Sequence, residues 1–436
     1  MIRAAAVILA IFLAIYLPDV GHGFISDDFR WIVESRLTSV ADALGLFTSN
    51  TGFYRPLTSL SFAIDAAVWR GRAFGYGVTN LGLCLAAAGA LFAFARQVAL
   101  PAPAALLGAG VWMLNFHAIN MAVLWLSGRT ALLAAVFSLA AAWAFFRSRH
   151  AASGIFSFAA MLSKEEAIVL PALFSLHVVL GGRERLRPQT IAPLWIAFCV
   201  YAALRLQSGA FWPDDAPSFY RFSFAPALVG RNVLEYADRA GTVFAAVAAL
   251  LVVLTRVRWH DVTGSERRVL GFAALWIAAM YALTVFLPVR SSLYALLPSL
   301  GSALVVSTVA SAAYRRDPLR CRRAAVGLLV AAALLMPIYR ARNTRWVELA
   351  ELSERVLDRL AADVGSRPTG HIVLVDAPAE RFNLAAAFGN LFPEAVQLRV
   401  GDGWTGELVS APNEASGPAD LIYRLSAGAL ERVPAR

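Results

Sequence analysis

The stretch AFGYGVTNLGLCLAAAGALFAFA, residues 73–95, runs from Arg72 to Arg96 without a charged side chain. A helix that crosses the hydrocarbon core of a bilayer needs about 20 such residues, and fewer where flanking groups snorkel. Working outward, comparable runs begin near Ala4, Val98, Thr130, Ala151, Ala167, Ile191, Ala240, Val269, Leu293 and Ala324. With the first they predict about eleven spans. The run from Ala151 is short, ending at Leu162, and reads as tilted or re-entrant. Ala4–Pro18 follows Arg3 and precedes no clear small-residue cleavage site, so it is expected to stay as the first span.

Composition agrees. Of 436 residues, 59% are hydrophobic and 16% charged, and mean hydropathy is +0.61, whereas a soluble domain carries about 25% charged residues. The formal net charge is +10. Its arginines sit in short clusters between apolar runs, with no basic stripe interleaved with aromatics, which argues against a nucleic-acid partner. Cys84, Cys199 and Cys321 have neither metal-ligand spacing nor a disulfide pattern.

The clusters also orient the chain. Arg3, Arg96, Arg147, Arg149, Arg183, Arg185, Arg187, Arg256, Arg258, Arg267 and Arg268 fall on one side of the count, with Arg315, Arg316, Arg320, Arg322 and Arg323. The positive-inside rule makes that side cytoplasmic. A multi-pass protein of the cytoplasmic (inner) membrane is expected, its N-terminus inside and its C-terminal segment outside. Arg340, Arg342 and Arg345 run against the rule. Two outer segments are long, 19–72 and 207–239. Residues 1–340 read as the transmembrane domain and 341–436 as a small extracytoplasmic α/β domain. In it Trp346, Leu349, Leu352, Val356 and Leu360 repeat at helical spacing, and His371–Val375 and Val396–Val400 read as strands around a helix near Asn383–Leu391.

This topology gathers the unusual polar groups on the outer face. Asp27-Asp28 follows the first span, and Tyr54-Arg55-Pro56 comes later in the same loop. His117 ends the third span, and Ser127-Gly128-Arg129 opens the fourth. Lys164-Glu165-Glu166 separates the fifth from the sixth, and Arg290 and Tyr294 lie between the ninth and tenth. Ionisable groups at membrane depth are costly, which makes each a functional candidate. Lys164 is the one lysine of the chain, and its compact charge suits a phosphate. The acidic pair is either a solvated turn or a site where one carboxylate takes a proton from a hydroxyl. Asp214-Asp215, after Trp212-Pro213, reads as an ordinary loop. His117 has no second ligand at metal spacing; no cofactor is expected, and a divalent metal is possible but not indicated.

These segments, in this order, resemble the polytopic glycosyltransferases of the GT-C fold that use polyprenyl-phosphate sugars. The nearest likeness is to the O-mannosyltransferase-like branch that often carries tetratricopeptide repeats, which this tail lacks. The likeness rests on Asp27-Asp28-Phe29, Tyr54-Arg55-Pro56-Leu57, His117 with Trp125-x-Ser127-Gly128-Arg129, Lys164-Glu165, and Arg290 with Tyr294 and Pro298-Ser299, over residues 1–345. It implies an inverting hexosyl transfer, of mannose in that branch, to a hydroxyl of a protein, lipid or polysaccharide. Asp28, then Asp27, would be the base. Lys164, Arg129 and Arg290 would hold the donor phosphate, with Glu165 orienting Lys164. Tyr54 and Arg55 would shape the acceptor side, with His117 and Tyr294 nearby. A transporter or flippase for a lipid-linked or anionic substrate is the alternative.

Overall fold

The computed structural model describes residues 1–48, 52–181, 187–210, 217–376, 384–411, 414–415, 419–426 and 429–433. Arg183, Arg185, Asp214, Asp215 and Asn383 lie outside them.

The chain is a helical, polytopic membrane protein with a small C-terminal sheet. Helix α1 (Ile2–Tyr16) leads into the first long loop, which holds α2 (Asp28–Glu34), α3 (Val40–Gly45) and α4 (Pro56–Trp69). Then come α5 (Ala73–Gln97), α6 (Ala102–Met113), α7 (Ile119–Leu124), α8 (Arg129–Phe146), α9 (His150–Ser163), α10 (Leu170–Gly181) and α11 (Pro188–Gln207). After the second long loop follow α12 (Pro226–Ala237), α13 (Val243–Thr255), α14 (Gly264–Tyr281), α15 (Leu296–Arg316), α16 (Pro318–Leu334) and α17 (Met336–Val364). Among the described residues seven helical segments are long and apolar enough to span, or eight if α16 and α17 count as one bent span. A helix lies at or beside each expected start, but those near Val98, Ala151 and Ala167 have only 12, 14 and 12 residues.

Local chemistry explains the helix ends. Proline opens α4, α6, α11, α12 and α16, where its missing N–H costs nothing. Thr263 and Glu266 form a capping box at the start of α14. Between α16 and α17 the axis turns by 46°; Pro337, in the first turn of α17, has no N–H with which to continue α16. Close helix packing uses small residues. A Cβ on Gly108 would lie 2.6 Å from the Ala303 carbonyl, so glycine lets α6 lie against α15.

The tail adds α18 (Leu384–Phe388), α19 (Phe392–Arg399) and a sheet of β1 (Gly370–Val375), β2 (Trp404–Val409), β3 (Leu421–Ser426) and β4 (Ala429–Val433) in the order β2-β1-β3-β4. The first three strands are parallel and β4 is antiparallel to β3. The helical stripe from Leu349 to Leu360 is buried in α17 as expected, and His371–Val375 lies in β1. Val396–Val400 is no strand. It falls in and just beyond α19, because Phe392 and Val396, one turn apart, both face the core.

Two large apolar cores result, beside a small cluster of Val373, Val375 and Val409 in the sheet. The larger fills the helix bundle. The second joins Phe24, Ile25, Phe29 and Ile32 of the first loop to Leu349, Val356, Phe388, Phe392 and Trp404 of the tail. Helix α17 runs unbroken through residue 340, so the first loop and the tail fold on one another at a single end of the bundle.

Candidate functional site

Polar groups from four loops meet at that end. In the first loop, Asp28 caps no helix; its side chain turns inward. Oδ2 accepts the Ile25 N–H at 3.1 Å, and Oδ1 accepts both the backbone N–H and the hydroxyl of Ser127, at 2.8 and 2.5 Å. Ser127 can come so close because the chain folds tightly at Gly128, where a Cβ would stand 2.7 Å from the Ala122 Cα. Asp28 is 0% exposed, and burial pushes its carboxyl up to about 7 against the pull of those hydrogen bonds. The residue expected first as the base is thus a fastener between the first loop and the Ser127 turn, with no face open to a substrate. Asp27 is half-buried. Burial raises its carboxyl too, while the nearby charges of Arg55 and Arg30 favour ionisation. Of the pair, Asp27 is the one a hydroxyl can reach.

Arg129 is also corrected. It is 0% exposed and pairs with Asp65 at 2.5 Å. Its Nε donates to Asn80 at 2.9 Å, its other nitrogens to the Tyr76 and Ser61 carbonyls at 3.0 and 3.2 Å, and its plane lies over the Phe62 ring. A guanidinium so fully engaged has nothing left for a phosphate; it bolts α4, α5 and α8 together. Tyr54 is corrected in the same way: it is buried, and its hydroxyl donates to the Phe47 carbonyl at 2.9 Å.

The remaining expected residues divide into two groups. In the first, Arg55 forms a two-pronged pair with Glu165, at 2.7 and 2.5 Å. Burial opposes ionisation of Glu165, but Arg55 overrides it and holds the carboxyl down at about 2. Glu165 therefore orients Arg55 rather than Lys164. Lys164 is 3% exposed, with Nζ 2.7 Å from Glu166 and 5.2 Å from the centre of the Tyr294 ring. Glu166 is the one carboxylate paired with its three N–H groups among the described residues. The Phe53 ring meets both the Arg55 guanidinium and Tyr220. Asp27, Arg55, Lys164, Glu165 and Tyr294 are brought together.

The second group lies beyond Tyr294, whose ring touches Tyr236 at 6.1 Å. Here Arg290 and His117 line a cavity of about 380 Å³ with Arg239, Arg342, Arg345 and Trp346. Glu235 pairs with both Arg239 and Arg290. Burial and then the Arg342 charge lower the His117 pKa, so its imidazole is neutral near pH 7.

Asp65, Glu235 and Arg239 went unremarked in sequence because their roles come from partners far along the chain. Arg342 and Arg345 did carry a signal, as arginines on the disfavoured side of the charge rule. Among the described residues no group of three or more His, Cys, Asp or Glu side chains could hold a metal ion. In comparisons with known proteins, no family model and no curated protein matches the chain.

Proposed function

We propose that this protein is a membrane glycosyltransferase of the GT-C type that moves a sugar from a polyprenyl-phosphate donor to an acceptor hydroxyl at the extracytoplasmic face of the inner membrane. The observation that carries the reading is Asp27, a half-buried carboxylate near the charges of Arg55 and Arg30, at the end of the bundle where Arg55 pairs with Glu165, the chain neighbour of the buried Lys164 ammonium. Acid, cation and aromatic wall stand together at one end of a lipid-embedded bundle, where an isoprenoid tail can lie between helices.

In this reading Asp27 accepts the proton of the acceptor hydroxyl as its oxygen attacks the anomeric carbon. The bond from that carbon to the phosphate oxygen breaks, and its electron pair leaves with the phosphate. Partial desolvation strengthens Asp27 as a base. Lys164 offers N–H donors where negative charge grows, and the Tyr294 ring lies against its ammonium.

The test is transfer from a labelled polyprenyl-phosphate sugar in proteoliposomes. Asp27→Asn should lower the rate at least ~100-fold with an unchanged melting temperature; a wild-type rate in this variant would sink the reading. One observation favours a transporter instead: α16 and α17 form a pair bent by 46° at a break, and transporters bind substrate at broken helices. Entry of labelled substrate into sealed vesicles, with no glycosidic bond formed, would establish that alternative.

A further inference from the structure

We infer that the cavity between the turn at Arg239, the turn at Arg290 and α17 is a binding site for a phosphate group, and that α17 supplies half of its arginines.

Four guanidinium groups line it, and a single carboxylate, Glu235, answers two of them, Arg239 and Arg290. Arg342 and Arg345 have no carboxylate partner among the described residues. Each is laid against an aromatic ring instead, Arg342 over Phe116 at 4.8 Å and Arg345 over Trp346 at 5.7 Å. Stacking holds the planar fork in place and leaves its N–H edges for an anion. Like charges gathered in one cavity repel, and a multiply charged anion relieves the repulsion. A phosphate, with several acceptor oxygens, suits converging guanidinium forks better than a carboxylate does. The volume of about 380 Å³ lies within the range of small-ligand pockets.

The wall made by α17 is rigid. Asn343, buried, accepts from Asn120 at 2.5 Å and donates to Asp19 and to the Ile15 carbonyl, both at 2.8 Å. Trp346 donates to Asn120 at 2.6 Å and stacks on Trp125. Helix α17 thus has a fixed rotation against α1 and α7, and Arg342 and Arg345 are aimed rather than adrift. These are the arginines that run against the charge rule, and a ligand would account for their place. That the phosphate is the donor's rests on the transferase reading; the pocket itself does not.

The experiment uses the full chain in phosphatidylcholine nanodiscs and measures equilibrium binding of a labelled polyprenyl phosphate, with inorganic pyrophosphate and phosphatidylglycerol as competitors. R342A/R345A should weaken binding tenfold or more. Both side chains are exposed, so the melting temperature should hold. R342K/R345K, which keeps charge without the fork, should fall between, and R323A on exposed α16 should bind as wild type. Competition by pyrophosphate would mark a site for free phosphate, and competition by phosphatidylglycerol alone a headgroup site; either, if lost in R342A/R345A, supports the pocket. Equal affinity of R342A/R345A and wild type would overturn it. If transfer occurs but binding ignores these arginines, the pocket alone fails. If arginine-dependent binding occurs but no sugar moves, the transferase reading alone fails.

Discussion

Asp27 and Asp28 are neighbours in sequence with opposite fates. One keeps a wet face and the other vanishes into the fold, so their substitutions should separate. Asp28→Asn keeps an oxygen for Ser127 but turns an amide toward the Ile25 N–H, and should lower the melting temperature by several degrees in a thermal scan. The folded value of Asp28, about 7, lies above its ordinary 3.8. Its contribution to stability is therefore full below about pH 4 and lost as pH rises through about 7. Wild-type melting temperature should accordingly fall more steeply than that of Asp28→Asn between about pH 4 and pH 7. Arg129→Ala should cost about 3–5 kcal/mol, since it strands the buried Asp65 carboxylate, and should show as loss of folded protein after detergent extraction. That the Asp-Asp pair and the Ser-Gly-Arg turn were special was legible in the sequence. Which aspartate serves and which fastens was not, because the answer comes from Ser127, 99 residues away.

At the level of the element, apolar length and arginine spacing located the helices well, since lipid demands both. Depth was less legible. The runs near Val98, Ala151 and Ala167 are apolar enough to suggest spans but form short helices, their remaining residues going into turns that carry Leu114–Ala118 and Lys164–Val169. Val396–Val400 alternates like a strand, yet packing of Phe392 and Val396 on one helical face decided otherwise. Strands β2, β3 and β4 went unseen, being short and set among turn residues. Helix α17 is the element with most to lose. Asn343→Ala removes three buried hydrogen bonds, and should cost about 1–3 kcal/mol and weaken phosphate binding together. Unfolding and binding measured on the same preparation would check the coupling; loss of stability with full affinity would refute it.

For the whole molecule, two ends serve different purposes. One is stitched by Arg315 to Glu266 and rimmed by the arginine clusters; the other gathers the candidate site. The second core takes side chains from either side of residue 340, where the division into domains is expected. Truncation after Val364 would bare Phe24, Phe29 and Ile32, so limited proteolysis should then cut within residues 19–48 while the spans stay protected. A first loop as resistant as in the full chain would show that the tail is dispensable to it.

That shared core sets a schedule for biosynthesis. Phe24 and Phe29, which flank Asp27, leave the ribosome long before Phe388, Phe392 and Trp404, against which they pack. Over that interval, with synthesis at about 5–20 residues per second, the early segment has only part of its apolar lining. The lining of the Asp27 segment is whole only once Phe388, Phe392 and Trp404 have been made.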